Sequence, residues 1–216
     1  VREPEKPAQS GRRGNVLAEA FRERNTALFL SGMTLWWIGI WMVSAFFVIT
    51  CKALFGVSTA LAVQAFFILN ASFVLFALAA GLLAGKFGLK LVTVAGLALL
   101  VVCFFVIPLL PSYRAMLPFM VVAGAGYGTI LAVSYPLFLR LVPEGKTAGY
   151  VGLYMASQNG TLLAGPALGG MLIDRFGYFA HFSGAAAFIL AGMALLIAAR
   201  IPEAHHVVTA IDNPAD

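Results

Sequence analysis

The sequence predicts an all-α integral membrane protein with six transmembrane helices, arranged as two inverted three-helix repeats. The 216 residues are 61% apolar and only 11% charged, whereas a soluble domain is roughly 45–50% apolar and about 25% charged. Six uncharged apolar stretches follow one another along the chain, and one short glycine-containing motif occurs twice. This composition excludes a soluble enzyme, a disordered chain, a disulfide scaffold and a nucleic-acid-binding module.

Each of the six apolar stretches is long enough to cross a bilayer. A helix needs roughly 20 apolar residues to span about 30 Å of hydrocarbon. The predicted spans cover residues 27–50, 59–84, 90–110, 115–140, 148–173 and 178–200. Together they form one six-span unit over residues 27–200, with repeat 1 at 27–110 and repeat 2 at 115–200.

The two ends of the chain are polar. Residues 1–26 contain no apolar core of a signal peptide and predict a cytoplasmic linker, which ends in a short interfacial helix with Leu17, Ala20 and Phe21 on one face. Residues 201–216 predict a cytoplasmic tail. The linker-like opening, which begins with Val1, favours a chain cut from a longer protein.

The positions of Lys and Arg predict the orientation, because cytoplasmic loops carry the excess of positive charge. With a cytoplasmic N-terminus, eleven basic residues lie inside and three lie outside. Both termini therefore face the cytoplasm of a multi-pass inner-membrane protein, and the net charge of +5 reflects topology rather than a nucleic-acid partner. The three outside residues are Lys52, Arg114 and Arg175.

The repeated motif relates the two halves of the chain. Residues 81–88 and residues 170–177 both fit Gly-x-x-x-(Asp/Gly)-(Lys/Arg)-Phe-Gly, and the same 89-residue offset carries Asn70 onto Asn159. Because each repeat has an odd number of spans, the second is inverted relative to the first. Inverted three-plus-three repeats are typical of secondary transporters. The alternative is a chance similarity between two glycine-rich turns.

The same segments resemble the major facilitator superfamily. The loop Gly81–Lys90 is similar to that family's Gly-x-x-x-Asp-Arg-x-Gly-Arg-Lys motif, although Gly85 replaces the Asp and Leu89 replaces the first Arg after the glycine. Residues 19–26, 143–154 and 165–177 resemble the family's central loop, the loop entering span 11 and the span 11–12 turn. The resemblance implies a C-terminal half, spans 7–12, that works by alternating access. It also implies that the loop motif, Gly81, Lys86, Gly88, Lys90, Asp174 and Arg175, helps to set the conformation.

Polar residues inside spans need partners, because unpaired polar groups in hydrocarbon are costly. Asn70 and Asn159 lie near the centres of spans 2 and 5, where an amide can join helices or bind a polar substrate. Span 5 also carries a polar stripe on one helical face, which predicts contact with a water-filled cavity or with another helix. The stripe consists of Tyr150, Tyr154, Ser157, Gln158 and Thr161.

Aromatic residues add a second group of candidates. Trp37 and Trp41 lie too deep in span 1 for an interfacial belt, so they either stack against a flat ligand or pack against a missing half. Tyr127 lies in a glycine-rich part of span 4 that lacks the strand and spacing of a nucleotide loop. The predicted substrate-binding residues are Trp37, Trp41, Asn70, Tyr127, Tyr154, Gln158 and Asn159.

The middle of every predicted span lacks Asp, Glu, Lys and Arg. This favours a small neutral polar solute, such as a sugar, over an organic acid, with no cofactor and no metal. An intramembrane protease is disfavoured because no Ser and His pair is placed for it. A non-transporting sensor or assembly subunit is the main alternative. The expected partners are the lipid bilayer, the solute, and a missing N-terminal six-span half or a second copy of the chain.

Overall fold

The computed structural model describes residues 16–202, and within this range the secondary structure is helical. The predicted all-α fold is therefore confirmed, while most of the predicted linker and tail, residues 1–15 and 203–216, lies outside the described residues. The elements are α1 Val16–Arg22, α2 Arg24–Phe55, α3 Thr59–Phe87, α4 Leu89–Val106, a 3-10 turn Ile107–Leu109, α5 Tyr113–Leu139 and α6 Thr147–Ala198.

Five helices, α2 to α6, are long and apolar enough to cross a membrane. The first four predicted spans coincide, apart from a few residues at their ends, with α2, α3, α4 with its 3-10 turn, and α5, and the last two coincide with parts of the 52-residue helix α6. Helix α6 is interrupted at Gly177, whose φ of 79° is in the region that favours glycine. We call residues 147–176 the first arm of α6 and residues 178–198 its second arm.

The two arms of α6 lie side by side and run in opposite directions. A methyl group placed on Gly184 would be 2.6 Å from Leu172 Cδ1, and one placed on Gly169 would be 3.3 Å from His181 Nε2. Contacts between residues at similar distances on either side of Gly177 require the chain to reverse there. Gly177 lies between the fifth and sixth predicted spans, 148–173 and 178–200.

Other helices begin and end where the sequence supplies caps. Gly56, with φ of 63°, ends α2 and donates its N–H to the Lys52 carbonyl. The side chains of Ser58 and Ser112 accept hydrogen bonds from the backbone N–H groups of Leu61 and Ala115, at the starts of α3 and α5.

Close helix crossings without large side chains hold the bundle together. A methyl group on Gly124 of α5 would be 2.2 Å from the Leu69 carbonyl oxygen of α3, so these two backbones touch. One on Gly39 of α2 would be 2.5 Å from the Ala185 carbonyl oxygen in the second arm of α6. Small residues permit such approaches between membrane helices. Helix α3 therefore packs on α5, and α2 packs on α6.

One end of the bundle carries a set of basic residues, which we call the basic face: Lys86, Lys90, Arg140, Lys146 and Arg200. Here the Arg200 backbone N–H donates to Asn25 Oδ1 at 2.9 Å, which ties the end of α6 to the start of α2. Lys146 forms an ion pair with Glu19 of α1. On α1, Ala20 is buried while Leu17 and Phe21 are about half exposed.

Candidate functional site

The indole rings of α2 form the first wall of the site. Trp37 is fully buried and Trp41 is half-buried, and their rings stack with centroids 5.8 Å apart and planes 24° apart. Their Nε1 atoms are buried and have no hydrogen-bond partner in residues 16–202. A buried donor of this kind calls for a ligand, a water or another chain to complete it.

Tyr127 joins this wall to two other helices. Its ring on α5 meets Trp37 edge to face at 6.2 Å and lies 5.3 Å from the ring of Phe73 on α3. The glycines before and after Tyr127 bring α5 against its neighbours: a methyl group on Gly128 would be 2.4 Å from the Phe73 carbonyl oxygen. The glycine-rich sequence therefore positions the tyrosine by removing bulk around it.

Asn70 contributes from α3. It is half-buried, and its Nδ2 donates to the Phe66 carbonyl one turn earlier, at 2.7 Å. Its Oδ1 accepts no hydrogen bond from the described residues. The hydroxyls of Ser44 on α2 and Tyr127 on α5 are likewise without a partner among residues 16–202, so three helices each present an available polar atom.

These residues surround a cavity of about 110 Å³ between α2, α3, α4, α5 and the second arm of α6. Its buried part is apolar and its half-buried part carries the polar atoms. The lining consists of Ile40, Trp41, Val43, Ser44, Phe47, Phe66, Leu69, Asn70, Leu100, Phe104, Ile107, Met120, Tyr127 and Phe182. None of these described lining residues is charged.

The structure brings together three of the seven predicted substrate-binding residues, Trp41, Asn70 and Tyr127, and places Trp37 directly behind them. The other three lie on the first arm of α6, away from this cavity. Tyr154 is buried, and its hydroxyl hydrogen-bonds Ser134 Oγ of α5 at 2.9 Å. Its ring also packs on the ring of Phe138 of α5, with centroids 5.3 Å apart. Through these two contacts Tyr154 joins the first arm of α6 to α5.

Gln158 and Asn159 are not among the residues that line this cavity. Gln158 is half-buried, and its carbonyl accepts a hydrogen bond from the Thr161 hydroxyl at 2.6 Å. Asn159 is exposed, and its Nδ2 donates to the Met155 carbonyl at 2.9 Å. Asn159 therefore makes the same local hydrogen bond as Asn70, but it does not line the cavity to which Asn70 contributes.

The predicted loop motif lies at two ends of the bundle. At the basic face, Gly88 with φ of 85° separates α3 from α4, and Lys90 Nζ donates to the Ile197 and Ala199 carbonyls at 2.8 Å each. Gly81 and Lys86 are exposed, with Lys86 Nζ 5.2 Å from the centre of the Phe87 ring. Asp174 and Arg175, beside Gly177 at the opposite end, are exposed.

Sequence reasoning missed the apolar part of the cavity. Phe104 and Phe182 lie in the interior of long apolar segments, so nothing in their pattern separates them from residues that face lipid. The sequence could have singled out Ser44, because it shares a helical face with Trp37 and Trp41. As for metals, the described residues contain no group of three His, Cys, Asp or Glu side chains that could hold an ion.

A helical bundle of membrane-spanning length with an uncharged internal cavity defines a class, that of multi-helix integral membrane proteins able to admit a small solute. Within that class, the family model for the Major Facilitator Superfamily matches residues 26–214. The chain therefore belongs to the major facilitator superfamily, a family of membrane transporters rather than enzymes.

Curated relatives resemble part of the chain. Monocarboxylate transporter 2 of Meriones unguiculatus is 32% identical over 99 residues, which cover 44% of this chain and 20% of the relative. Monocarboxylate transporter 2 of Homo sapiens is 30% identical over 80 residues, which cover 37% of this chain and 17% of the relative. The matched part of the chain thus spans about a fifth or less of the length of these relatives.

Proposed function

We propose that this chain is one six-span half of a secondary carrier, which moves a small solute across the membrane by alternating access. The observation that carries the proposal is the uncharged cavity in which Ser44, Asn70 and Tyr127, from three different helices, present unpartnered polar atoms. Secondary carriers bind their solutes near the middle of the membrane, between helices of this kind.

The proposal includes two membrane crossings by α6. A helix of 52 residues would be about 78 Å long at 1.5 Å per residue, far more than the roughly 30 Å of a hydrocarbon core. The turn at Gly177 divides it into two arms of spanning length. With α2 to α5, these arms make six spans.

Matching features in the two halves support an inverted repeat. Gly88 and Gly177, which are 89 residues apart, both have positive φ and both end a spanning segment. The crossing of Gly96 on α4 with α5, where a methyl group would be 3.0 Å from the Gly126 carbonyl oxygen, has a counterpart. Ala185, 89 residues after Gly96, makes the corresponding close contact with Gly39 on α2.

We further propose that a second six-span unit completes the carrier, either an N-terminal half or another copy of the chain. Helix α3 leaves an apolar surface uncovered, with Leu78 and Leu82 about four-fifths exposed. Asn159 is also exposed on the first arm of α6, and an amide in the membrane is best paired with protein or water. A partner unit would supply that environment.

The proposed orientation places the basic face and both termini at the cytoplasm of an inner membrane. A cysteine introduced at Gly145, in the loop between α5 and α6, should be protected from an impermeant thiol reagent in intact cells. One introduced at Tyr113, at the opposite end, should be labelled. The reverse pattern would contradict this orientation.

Two solute classes are candidates. The aromatic and amide residues favour a neutral polar solute such as a sugar, whereas the similarity to monocarboxylate transporters suggests a monocarboxylate. Uptake of labelled glucose and lactate into proteoliposomes tests both. We expect no uptake by the monomeric chain, uptake when a second six-span unit is present, either an N-terminal half or another copy of the chain, and loss of that uptake in Tyr127→Ala.

The same assay separates a carrier from a non-transporting sensor. A sensor would bind solute, detected as thermal stabilisation, without accumulating it inside vesicles even when the second half is present. Solute flux from a demonstrably monomeric chain would contradict the need for a second unit.

A further inference from the structure

The lining of the cavity between α2, α3 and α5 has two parts that differ in burial and polarity. The buried part, which we call the floor, is apolar and comes from α2, α4, the 3-10 turn, α5 and the second arm of α6, including Phe104, Met120 and Phe182. The half-buried part, which we call the rim, carries the polar side chains Ser44, Asn70 and Tyr127. A ligand that enters must therefore place an apolar part at the floor and a polar part at the rim.

The rim supplies hydrogen-bonding groups without charge. A serine hydroxyl and a phenol can each donate and accept, and the Asn70 Oδ1 can accept. The Trp41 Nε1, also at the cavity, is buried and unpartnered among residues 16–202. Because buried polar groups normally have partners, these atoms are suited to one hydrogen-bonding group of a ligand.

The absence of a cation among the described lining residues limits that group further. Moving an ionised carboxylate away from water is costly unless a positive group pairs with it. The floor also offers no partner for additional hydroxyls, so a polyol would leave several of them unsatisfied there. Neither a full negative charge nor a sugar suits the interior of this cavity.

We infer that this cavity selects a small amphiphilic solute, which inserts an aromatic or aliphatic body at the floor and holds one uncharged hydrogen-bonding group at the rim. The inference rests on the proposed carrier function, and it replaces the sugar and the monocarboxylate considered there with an uncharged amphiphile as the solute class that this half recognises. Engineered apolar cavities of about 150 Å³ admit benzene, so a cavity of about 110 Å³ that is open at its rim suits a single ring.

The chain carries its own reporter for this binding. All three tryptophans lie on α2, and Trp37 and Trp41 stack beside the cavity. We would titrate the purified 216-residue chain in lipid nanodiscs with benzyl alcohol, benzoate and glucose, and follow tryptophan fluorescence. We expect a saturable change with benzyl alcohol, at least tenfold weaker binding of benzoate and no change with glucose.

Two matched pairs of variants locate the binding. Asn70→Leu should weaken benzyl alcohol binding about fivefold to tenfold, as expected for one lost hydrogen bond, while Asn159→Leu, which removes the same local bond elsewhere, should not. Val43→Phe fills the cavity and should abolish saturation, while Val102→Phe on the exposed side of α4 should retain it. If Val43→Phe does not fold, the asparagine pair decides.

The outcomes separate the inference from the carrier proposal. Saturable binding of glucose without binding of benzyl alcohol would overturn the amphiphile inference and leave the carrier function standing. If benzoate bound more tightly than benzyl alcohol, the inference that the polar group at the rim is uncharged would be wrong. Failure of all three probes to saturate would overturn both the inference and the assignment of this cavity as a solute site.

Discussion

The membrane interior and the basic face of this chain are held together by different interactions. In the interior, α5 meets α3 backbone to backbone at Gly124 and Gly128, with no charged group involved. At the basic face, long polar side chains make the connections, as Lys90 does to the end of α6 and Lys146 does to Glu19. The backbone crossings in the interior leave no room for an added atom, whereas the polar side chains that connect the basic face are partly exposed to water.

This difference indicates which contacts determine the stability of the fold and the specificity of the cavity. A tight backbone crossing cannot relax around an added methyl group, because its neighbours are main-chain atoms. An exposed ion pair loses little when it is broken, because water solvates both charges. The cavity depends on the first kind, since the α3–α5 crossing at Leu69 fixes α3, which carries Asn70, against α5, which carries Tyr127.

The largest effect should come from adding one methyl group to the crossing. Gly124→Ala would bring Cβ to 2.2 Å from the Leu69 carbonyl oxygen, so α3 must move away from α5. We expect a loss of about 3 kcal/mol in unfolding free energy, together with loss of cavity binding. Unfolding in detergent with increasing SDS, followed by circular dichroism, measures it.

Gly160→Ala is the matched control for that substitution. A methyl group there meets nothing within 4 Å, and alanine favours a helix by roughly 0.5–1 kcal/mol over glycine. This variant should be as stable as the parent or slightly more so. Equal destabilisation by both substitutions would show that helix propensity, not the crossing, is being measured.

An intermediate effect is expected at Lys90. Its ammonium satisfies two carbonyls at the C-terminal end of α6, where a helix favours positive charge. Lys90→Met should lower the unfolding free energy by about 1–2 kcal/mol. Lys86→Met, which removes only an exposed contact with Phe87, should change it by about 0.5 kcal/mol or less. A larger loss of unfolding free energy in Lys86→Met than in Lys90→Met would contradict the capping role of Lys90.

The smallest effect should come from Glu19→Gln, which breaks the ion pair between α1 and Lys146. The hydrogen bond that Lys146 donates to Glu19 raises the pKa of its ammonium above the ordinary 10.5. A basic group whose pKa is raised on folding stabilises the folded state at pH values below its ordinary pKa. This stabilisation is lost as the pH rises through the raised pKa. Thermal midpoints should thus show a small loss, constant across neutral pH and abolished at about 1 M salt. A loss that persists at high salt would contradict an exposed pair.

Much of the fold was predictable because lipid imposes simple rules. The length of the uncharged apolar segments predicted the helices and their approximate ends. The glycine pair Gly88 and Gly177 marked the two turns of the repeated motif, although α6 is otherwise continuous across the second. The close crossings were only partly predictable, since Gly124 and Gly128 indicated a small-residue face but did not identify α3 as its partner.

The site was less predictable, because it depends on tertiary packing. Asn70 and Asn159 are 89 residues apart in the predicted repeat and make the same local hydrogen bond, yet of the two only Asn70 lines the cavity between α2, α3 and α5. Tyr154 belongs to a polar stripe for which the sequence left open a water-filled cavity or another helix, and in the structure it is buried, with its hydroxyl hydrogen-bonded to Ser134 of α5. A polar residue in a span indicates that its side chain has a partner, but the sequence does not show whether that partner is a helix or a solute.

The central claim is that the cavity between α2, α3 and α5 opens to water and so can admit a solute. The most direct measurement replaces the two natural cysteines, both buried, with alanine, and introduces Asn70→Cys or, as a buried control, Ala186→Cys. Each variant in membrane vesicles is then treated with a charged thiol reagent. We predict rapid labelling at position 70, slowed by benzyl alcohol, and none at position 186. Equal reactivity at the two positions, or none at either, would contradict the claim.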